Sequence, residues 1–153
     1  MSIENRSLGR YGEDLAQKYL TACGYEILAQ NYHSRFGEID LIGRKIAAVG
    51  RGSQIVFFEV KTRKGSRFGL PEEAVDRLKI IKILKTAHEF LEKRKQSGAA
   101  ARQGGAAERR SGAERQSGAA LRQSFFQIDV ISIQLNMYNM VEDLRHIKNI
   151  YVS

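Results

Sequence analysis

The middle of the chain carries the sequence Gln54-Ile55-Val56-Phe57-Phe58-Glu59-Val60-Lys61-Thr62. Its β-branched and aromatic residues are typical of a strand buried between two layers of structure. Because side chains alternate across a strand, Glu59 and Lys61 share one face, and the residues beside them face the other way. Charges in an apolar layer are unfavourable unless they are paired or bind an ion or substrate. Glu59 and Lys61 are therefore the first candidates for a functional site.

A second carboxylate lies upstream, in the sequence Gly37-Glu38-Ile39-Asp40-Leu41-Ile42. Its glycine and alternating pattern predict a neighbouring strand, and if the two strands pair as a hairpin, Asp40 approaches Glu59. Magnesium takes oxygen ligands, commonly one or two carboxylates with several waters retained. We therefore expect Asp40 and Glu59 to hold one ion, with the main-chain carbonyl of Val60 completing the set.

Cleavage of a phosphodiester also needs a positioned water and charge stabilisation at phosphorus. Lys61, on the same face as Glu59, is expected to orient the attacking water and stabilise its hydroxide form. Glu13 lies in a predicted amphipathic helix over 7–23, capped by Gly24, and flanks its apolar stripe. From there it can bind a second ion or steady metal waters. The alternative is a solvated glutamate that the helix dipole favours.

Periodicity and turn residues predict the remaining elements. Strands are expected over 25–31, 38–44 and 54–62, with a turn over 32–36 and loops over 45–53 and 63–70. A helix is expected from Pro71 to about residue 95. Two more strands, 125–135 and 140–144, precede a short helical turn over 146–151. This order implies an α/β layer structure with a mixed sheet.

The segment 96–123 differs in composition from the rest of the chain, with glycine, alanine, serine, glutamine and arginine and no aromatic residue. It also repeats, since QSGAAARQ at 96–103 returns as QSGAALRQ at 116–123. Little in it can be buried to offset the entropy of ordering. It is predicted to be a flexible or weakly helical insertion in a single domain, either a tolerated surface expansion or a source of non-specific affinity for a polyanion.

Charge and composition favour some classes of function and partner over others. The chain has 153 residues and a formal net charge of +8, which favours a polyanionic partner. It shows no signal peptide or membrane-spanning run. Its one cysteine, Cys23, fits a reducing cytoplasm and is expected to be buried at a helix end. Motifs for dinucleotides, P-loop phosphates and serine hydrolases are absent, so no small-molecule cofactor is expected.

An ordered set of short motifs spans residues 8 to 95 and, less tightly, 125 to 151. The set is Gly12-Glu13, Gly24-Tyr25, Asn31, Arg35, Gly37-Glu38-Ile39-Asp40-Leu41-Ile42, Val56-Phe57-Phe58-Glu59-Val60-Lys61-Thr62-Arg63, Phe68-Gly69, Glu73-Ala74-Val75 and Lys79. In this order the motifs resemble the YraN-like family of bacterial proteins. The resemblance implies a restriction-endonuclease-like fold, a three-layer α/β/α arrangement with a mixed central sheet, similar to archaeal Holliday-junction resolvases.

The resemblance also implies roles for individual residues. Asp40, Glu59 and Lys61 match the metal-binding and catalytic core of PD-(D/E)xK nucleases, and Glu13 matches their helix glutamate. Three features depart from the pattern. Ile39 stands where the wider superfamily often has proline, Gln127-Ile128-Asp129 stands where Arg-Phe-Asp is expected, and the long insertion just before it is unusual. Many nucleases of this fold are dimers, so a homodimer is compatible with the resemblance.

The leading hypothesis is a cytoplasmic Mg²⁺-dependent (or Mn²⁺-dependent) endonuclease that hydrolyses phosphodiester bonds of nucleic acid. DNA is the favoured substrate, in branched or single-stranded form. Binding is expected to rest on phosphate contacts from Arg35, Arg63, Lys64, Arg67 and Lys79. A second hypothesis is a non-catalytic nucleic-acid-binding module of the same fold. A third is an interaction protein in which the buried charges form only a structural ion pair.

Overall fold

The computed structural model describes residues 3–45, 54–65, 77–103 and 126–150. Its helices and strands follow in the order α1 (Ile3–Ala22), β1 (Tyr25–Ser34), β2 (Gly37–Lys45), β3 (Gln54–Lys64), α2 (Arg77–Gln103), β4 (Phe126–Leu135) and β5 (Val141–Ile147). The described residues do not include 46–53 of the loop predicted over 45–53, 66–70 of the loop predicted over 63–70 (with Arg67), the helix start at Pro71 or the segment 104–125. Lys45, predicted to begin the first of these loops, is the last residue of β2.

The described strands form a mixed five-stranded sheet in the order β1-β2-β3-β4-β5. The central pair β3 and β4 is parallel and the other neighbours are antiparallel. A parallel pair needs a crossover connection, and α2 lies between β3 and β4 in the chain. The aromatic strand β3 is thus the central strand of the five.

One helix covers each face of the sheet. Ala16 and Leu20 of α1 pack in one cluster with Phe58 of β3, whereas Ile83 of α2 packs in a second cluster with Phe57. Neighbouring residues of β3 therefore face opposite helices, which is the alternation that a strand buried between two layers requires. The predicted three-layer α/β/α fold with a mixed central sheet is confirmed.

Helix α1 ends close to the predicted position. The main-chain amide of Gly24 donates a 3.0 Å hydrogen bond to the carbonyl of Thr21, and Gly24 has a φ of 82°, so this glycine caps the helix. Cys23, which was expected to be buried, is exposed, because it follows the last helical residue and leaves the apolar stripe. Neither described helix is long and apolar enough to cross a membrane.

Several element boundaries differ from the prediction. The strand β1 continues to Ser34, because Tyr32 and His33 pair with β2, so the turn shrinks to residues 35–36. The helix α2 continues to Gln103, into the segment predicted to be flexible or weakly helical. The helical turn predicted at 146–151 is wrong: β5 runs to Ile147, because His146 pairs with Ile131 of β4.

Candidate functional site

The candidate site begins where the main-chain pairing of β2 and β3 ends. That pairing runs from Lys45 opposite Gln54 to Leu41 opposite Phe58. Beyond it, the amide of Val60 donates a 2.7 Å hydrogen bond to Oδ2 of the Asp40 side chain. The predicted approach of Asp40 to β3 is therefore present. The contact is made by the Val60 amide, whereas the group predicted as a metal ligand is the Val60 carbonyl.

Glu59 is the most deeply buried charged group at the site, with 2% of its side chain exposed. Its Oε1 lies 2.7 Å from Nζ of Lys61, the neighbour on the same strand face. Its Oε2 lies 3.2 Å from Nζ of Lys79 on α2, but that ammonium is not aligned for a hydrogen bond, so Oε2 has no hydrogen-bond partner. Two lysines therefore compensate the negative charge of the buried Glu59 carboxylate. Its Oε2 can still accept a hydrogen bond or bind a cation.

Asp40 is half-buried and electrostatically linked to Glu59. Burial and, next in size, the negative charge of Glu59 raise the pKa of Asp40 to about 7. The hydrogen bond from Val60 and the charge of Lys79 oppose the increase in pKa. A carboxyl group with this pKa gains and loses its proton near neutral pH. Strongly shifted pKa values of this kind are common among residues of catalytic and binding sites.

Glu13 reaches the same region from α1. Its Oε2 accepts a 2.8 Å hydrogen bond from Nδ2 of Asn31 in β1, and its charge contributes to the raised pKa of Asp40. The carboxylate thus leans over the sheet, as one of the two interpretations expected. Asn31, which the site prediction did not include, has a φ of 47°, a left-handed conformation that asparagine tolerates better than most residues.

Gly12 explains how α1 comes close enough for Glu13 to do this. A Cβ atom at Gly12 would lie 1.7 Å from Oγ1 of Thr62, a distance at which no side chain can be accommodated. The backbone of α1 at Gly12 therefore packs directly against the Thr62 side chain of β3. The Gly12-Glu13 motif combines a close approach with a carboxylate directed at the site.

The residues present fit a divalent cation held by two carboxylates. Across the described ranges, no three side chains from His, Cys, Asp and Glu come together as a ready-made metal cluster. Magnesium does not require one, since it commonly binds through one or two carboxylates and keeps several waters. The buried Oε2 of Glu59, without a hydrogen-bond partner, is the observation that fits such an ion. Asp40 and Glu59 would be the residues that hold it.

The predicted phosphate-binding residues do not form one cluster. Arg35 lies in the β1–β2 turn, with its guanidinium 4.7 Å from the ring centroid of Phe36. Arg63 and Lys64 are the last two residues of β3. The antiparallel register places the β1–β2 turn and the end of β3 at the same end of the sheet. Lys79 lies inside the site, on Glu59.

A second buried polar group lies on the other face of the sheet. Asp129 of β4 is fully buried and accepts hydrogen bonds from Nε2 of Gln127 at 2.6 Å and from the amide of Asn149 at 2.8 Å. Nε2 of His146 lies 2.7 Å from its other oxygen. Gln127, at the position where arginine is expected from the resemblance, serves this network, which ties β5 and the residues after it to β4.

Comparison with known proteins identifies the family. Residues 12–133 match the family described as "Uncharacterised protein family UPF0102". The chain is 34% identical over 151 residues to a UPF0102 protein of Clostridium tetani, covering 99% of this chain and 98% of the relative. It is 30% identical over 149 residues to one of Caldicellulosiruptor saccharolyticus, covering 97% of this chain and all of the relative.

A third relative matches over a shorter region. A UPF0102 protein of Syntrophomonas wolfei is 49% identical over 88 residues, which is 58% of this chain and 71% of the relative. The matched region of the family covers the second half of α1, the elements from β1 to α2 and most of β4, and so includes the candidate site. The chain belongs to the UPF0102 family, the YraN-like family that its motifs indicated.

Proposed function

We propose that this protein is a divalent-metal-dependent endonuclease that hydrolyses phosphodiester bonds of nucleic acid, with DNA in branched or single-stranded form as the favoured substrate. The observation that supports this most is the arrangement around Glu59. A buried carboxylate has one oxygen without a hydrogen-bond partner, a lysine 2.7 Å from the other, and a second carboxyl group, Asp40, within its electrostatic field.

In this proposal Asp40 and Glu59 hold the ion, Mg²⁺ or Mn²⁺, with the Val60 carbonyl as a further ligand. The ion would neutralise the charge that develops on the scissile phosphate. Lys61 keeps 30% of its side chain exposed while it contacts Glu59, so its remaining donors can orient a water for attack on phosphorus. The water oxygen would bond to phosphorus and lose a proton to solvent, the bond between phosphorus and the leaving sugar oxygen would break, and that oxygen would take up a proton from solvent.

Glu13 supports the same centre from α1. Its hydrogen bond from Asn31 fixes the carboxylate, and a fixed carboxylate can steady waters around the ion. The net charge of +8 supports a polyanionic partner, and such an enzyme would act in the cytoplasm.

The pairing of both lysines with Glu59 is also what a non-catalytic nucleic-acid-binding module would contain. The two functions are separated by incubating purified protein with supercoiled plasmid, a four-way junction and single-stranded DNA, with Mg²⁺ or Mn²⁺ and with chelator. The nuclease proposal expects metal-dependent cleavage that Lys61→Met and Asp40→Ala abolish while DNA affinity is retained. Lys95→Met, which removes an exposed lysine paired with Glu92, is the control and should cleave normally. Binding without cleavage of any form would favour the module.

A further inference from the structure

A polar groove lies next to the candidate site, between α2 and the β1–β2 turn. Its volume is about 290 Å³, and it is lined by His33, Ser34, Gly37, Glu38, Lys79 and Lys82. Lys79 is thus part of both the candidate site and the groove. Its ammonium lies 3.2 Å from Oε2 of Glu59, and its side chain forms part of the groove wall.

Hydrogen bonds join the two walls of the groove, and its lining contains two lysines and one glutamate. Oγ of Ser34 lies 2.9 Å from Oγ1 of Thr86 and accepts a 3.0 Å hydrogen bond from the amide of Phe36, so the turn is fixed to α2. The Lys82 side chain passes over Gly37, where a Cβ atom would lie 3.3 Å from Cβ of Lys82. The acidic group in the lining, Glu38, lies 3.6 Å from Nδ1 of His33.

The cations extend beyond the groove onto the turn. The guanidinium of Arg35 lies 4.7 Å and the ammonium of Lys85 5.9 Å from the centroid of the Phe36 ring. Together with Lys79 and Lys82 in the groove wall, they give this part of the surface four basic side chains. A surface of this kind suits the phosphates of a nucleic-acid backbone.

We infer that this groove binds a backbone phosphate of the nucleic acid and that Lys79 is shared between the groove and Glu59. The inference rests on the proposed function. While Glu59 holds no divalent cation, Lys79 neutralises it. A cation held by Asp40 and Glu59 repels the nearby ammonium, and Lys79 then turns into the groove, where it and Lys82 contact the phosphate. Metal binding and backbone binding thereby favour each other.

The first test is calorimetric titration of Mg²⁺ into wild type, Lys79→Met and Lys82→Met without nucleic acid. Lys79→Met removes the competing ammonium, so its Mg²⁺ affinity should rise about tenfold. Lys82→Met is the control, because it removes the same positive charge one turn along α2, away from Glu59. If the direct contact of Lys79 with Glu59 lowers the Mg²⁺ affinity, and not the long-range repulsion by any nearby lysine, Lys82→Met should change that affinity less than about twofold. Lys79→Gln should behave as Lys79→Met, and circular dichroism with thermal unfolding verifies that all variants are folded.

The second test measures binding of a fluorescent duplex oligonucleotide over a range of salt concentrations, in chelator and in Ca²⁺. Each lost phosphate contact should lower the slope of log affinity against log salt by about one. Lys82→Met should lower the slope both in chelator and in Ca²⁺. Lys79→Met should lower it only in Ca²⁺, because without a divalent cation Lys79 contacts Glu59 and not the phosphate.

Equal Mg²⁺ affinity in wild type and Lys79→Met, or an equal gain in both lysine variants, would overturn the sharing of Lys79 and leave the proposed nuclease site intact. If neither wild type nor variants bind Mg²⁺ or Mn²⁺, the sharing and the proposed function both fail.

Discussion

The main-chain amide of Val60 donates its hydrogen bond to the carboxylate of Asp40 instead of to the backbone of β2. One side chain therefore continues the contact between two strands after their regular pairing ends at Leu41 and Phe58. This places Asp40 beside Glu59 and takes it out of water. The raised pKa of Asp40 is a direct consequence of that position.

Asp40 should make stability depend on pH. Its pKa rises from 3.8 to about 7 on folding, so between these values the folded state binds more protons than the unfolded state. Stability is then lost as pH rises through this window and is constant above it. With about 1.4 kcal/mol for each tenfold difference in proton affinity, wild type should lose about 2 to 3 kcal/mol between pH 5 and pH 8 relative to Asp40→Asn. Urea unfolding at both pH values measures this, and parallel pH dependences of the two proteins would refute it.

The contact between Gly12 and Thr62 should be sensitive to a single methyl group. Gly12→Ala would place Cβ 1.7 Å from Oγ1 of Thr62, so α1 must move away from β3. We expect a loss of at least about 2 kcal/mol in the free energy of unfolding. Gly9→Ala, one turn earlier with no atom within 4 Å of the new Cβ, is the matched control and should be neutral or stabilising by up to about 1 kcal/mol. Equal effects of the two substitutions would contradict the close approach.

The buried network around Asp129 should contribute mainly to stability. Asp129→Ala leaves Gln127, His146 and the amide of Asn149 without their acceptor inside the fold. Unpaired buried donors are costly, and we expect a loss of about 3 kcal/mol or more. Asp143→Ala removes an exposed carboxylate that pairs with Arg145 and should cost less than about 1 kcal/mol. Chemical denaturation of both variants decides this, and a small effect of Asp129→Ala would show that the network is dispensable.

The cations at one end of the sheet should act on all nucleic-acid sequences alike. Arg35→Met and Lys64→Met should each weaken DNA binding and lower the salt slope by about one, because they remove phosphate contacts that carry no sequence information. Lys18→Met, on the exposed side of α1, should leave both quantities unchanged. Fluorescence anisotropy with two unrelated sequences measures the effect, and a loss confined to one of them would indicate base recognition instead.

Much of this arrangement follows from local sequence patterns. The alternation in β3 correctly separates Glu59 from Phe58, because burial on both faces forces each residue toward one helix. The glycine and carboxylate of β2 likewise predict a neighbouring strand with Asp40 near Glu59. Both features depend only on residues that are close together in the sequence. The two-residue alternation of side chains along a strand is therefore enough to predict them.

Other features depend on contacts that no local pattern contains. The helical spacing of α2 displays several lysines, but only the packed structure places Lys79 on Glu59. His146 lies in a strand because its main chain pairs with Ile131 of β4, and that pairing brings its side chain to the buried carboxylate of Asp129. Asn31 gives a weak sequence signal, since asparagine tolerates its left-handed conformation, but its bond to Glu13 requires α1 and β1 to be in place.

The central claim is that Asp40 and Glu59 together bind a divalent cation. Titration of Mg²⁺ and of Mn²⁺ into wild-type protein and Asp40→Ala, followed by isothermal calorimetry, tests it before any substrate is chosen. The account predicts saturable binding to wild type, of Mg²⁺ or at least of Mn²⁺, that Asp40→Ala abolishes. A wild-type protein that binds neither ion, or an Asp40→Ala protein that binds them equally well, would contradict it.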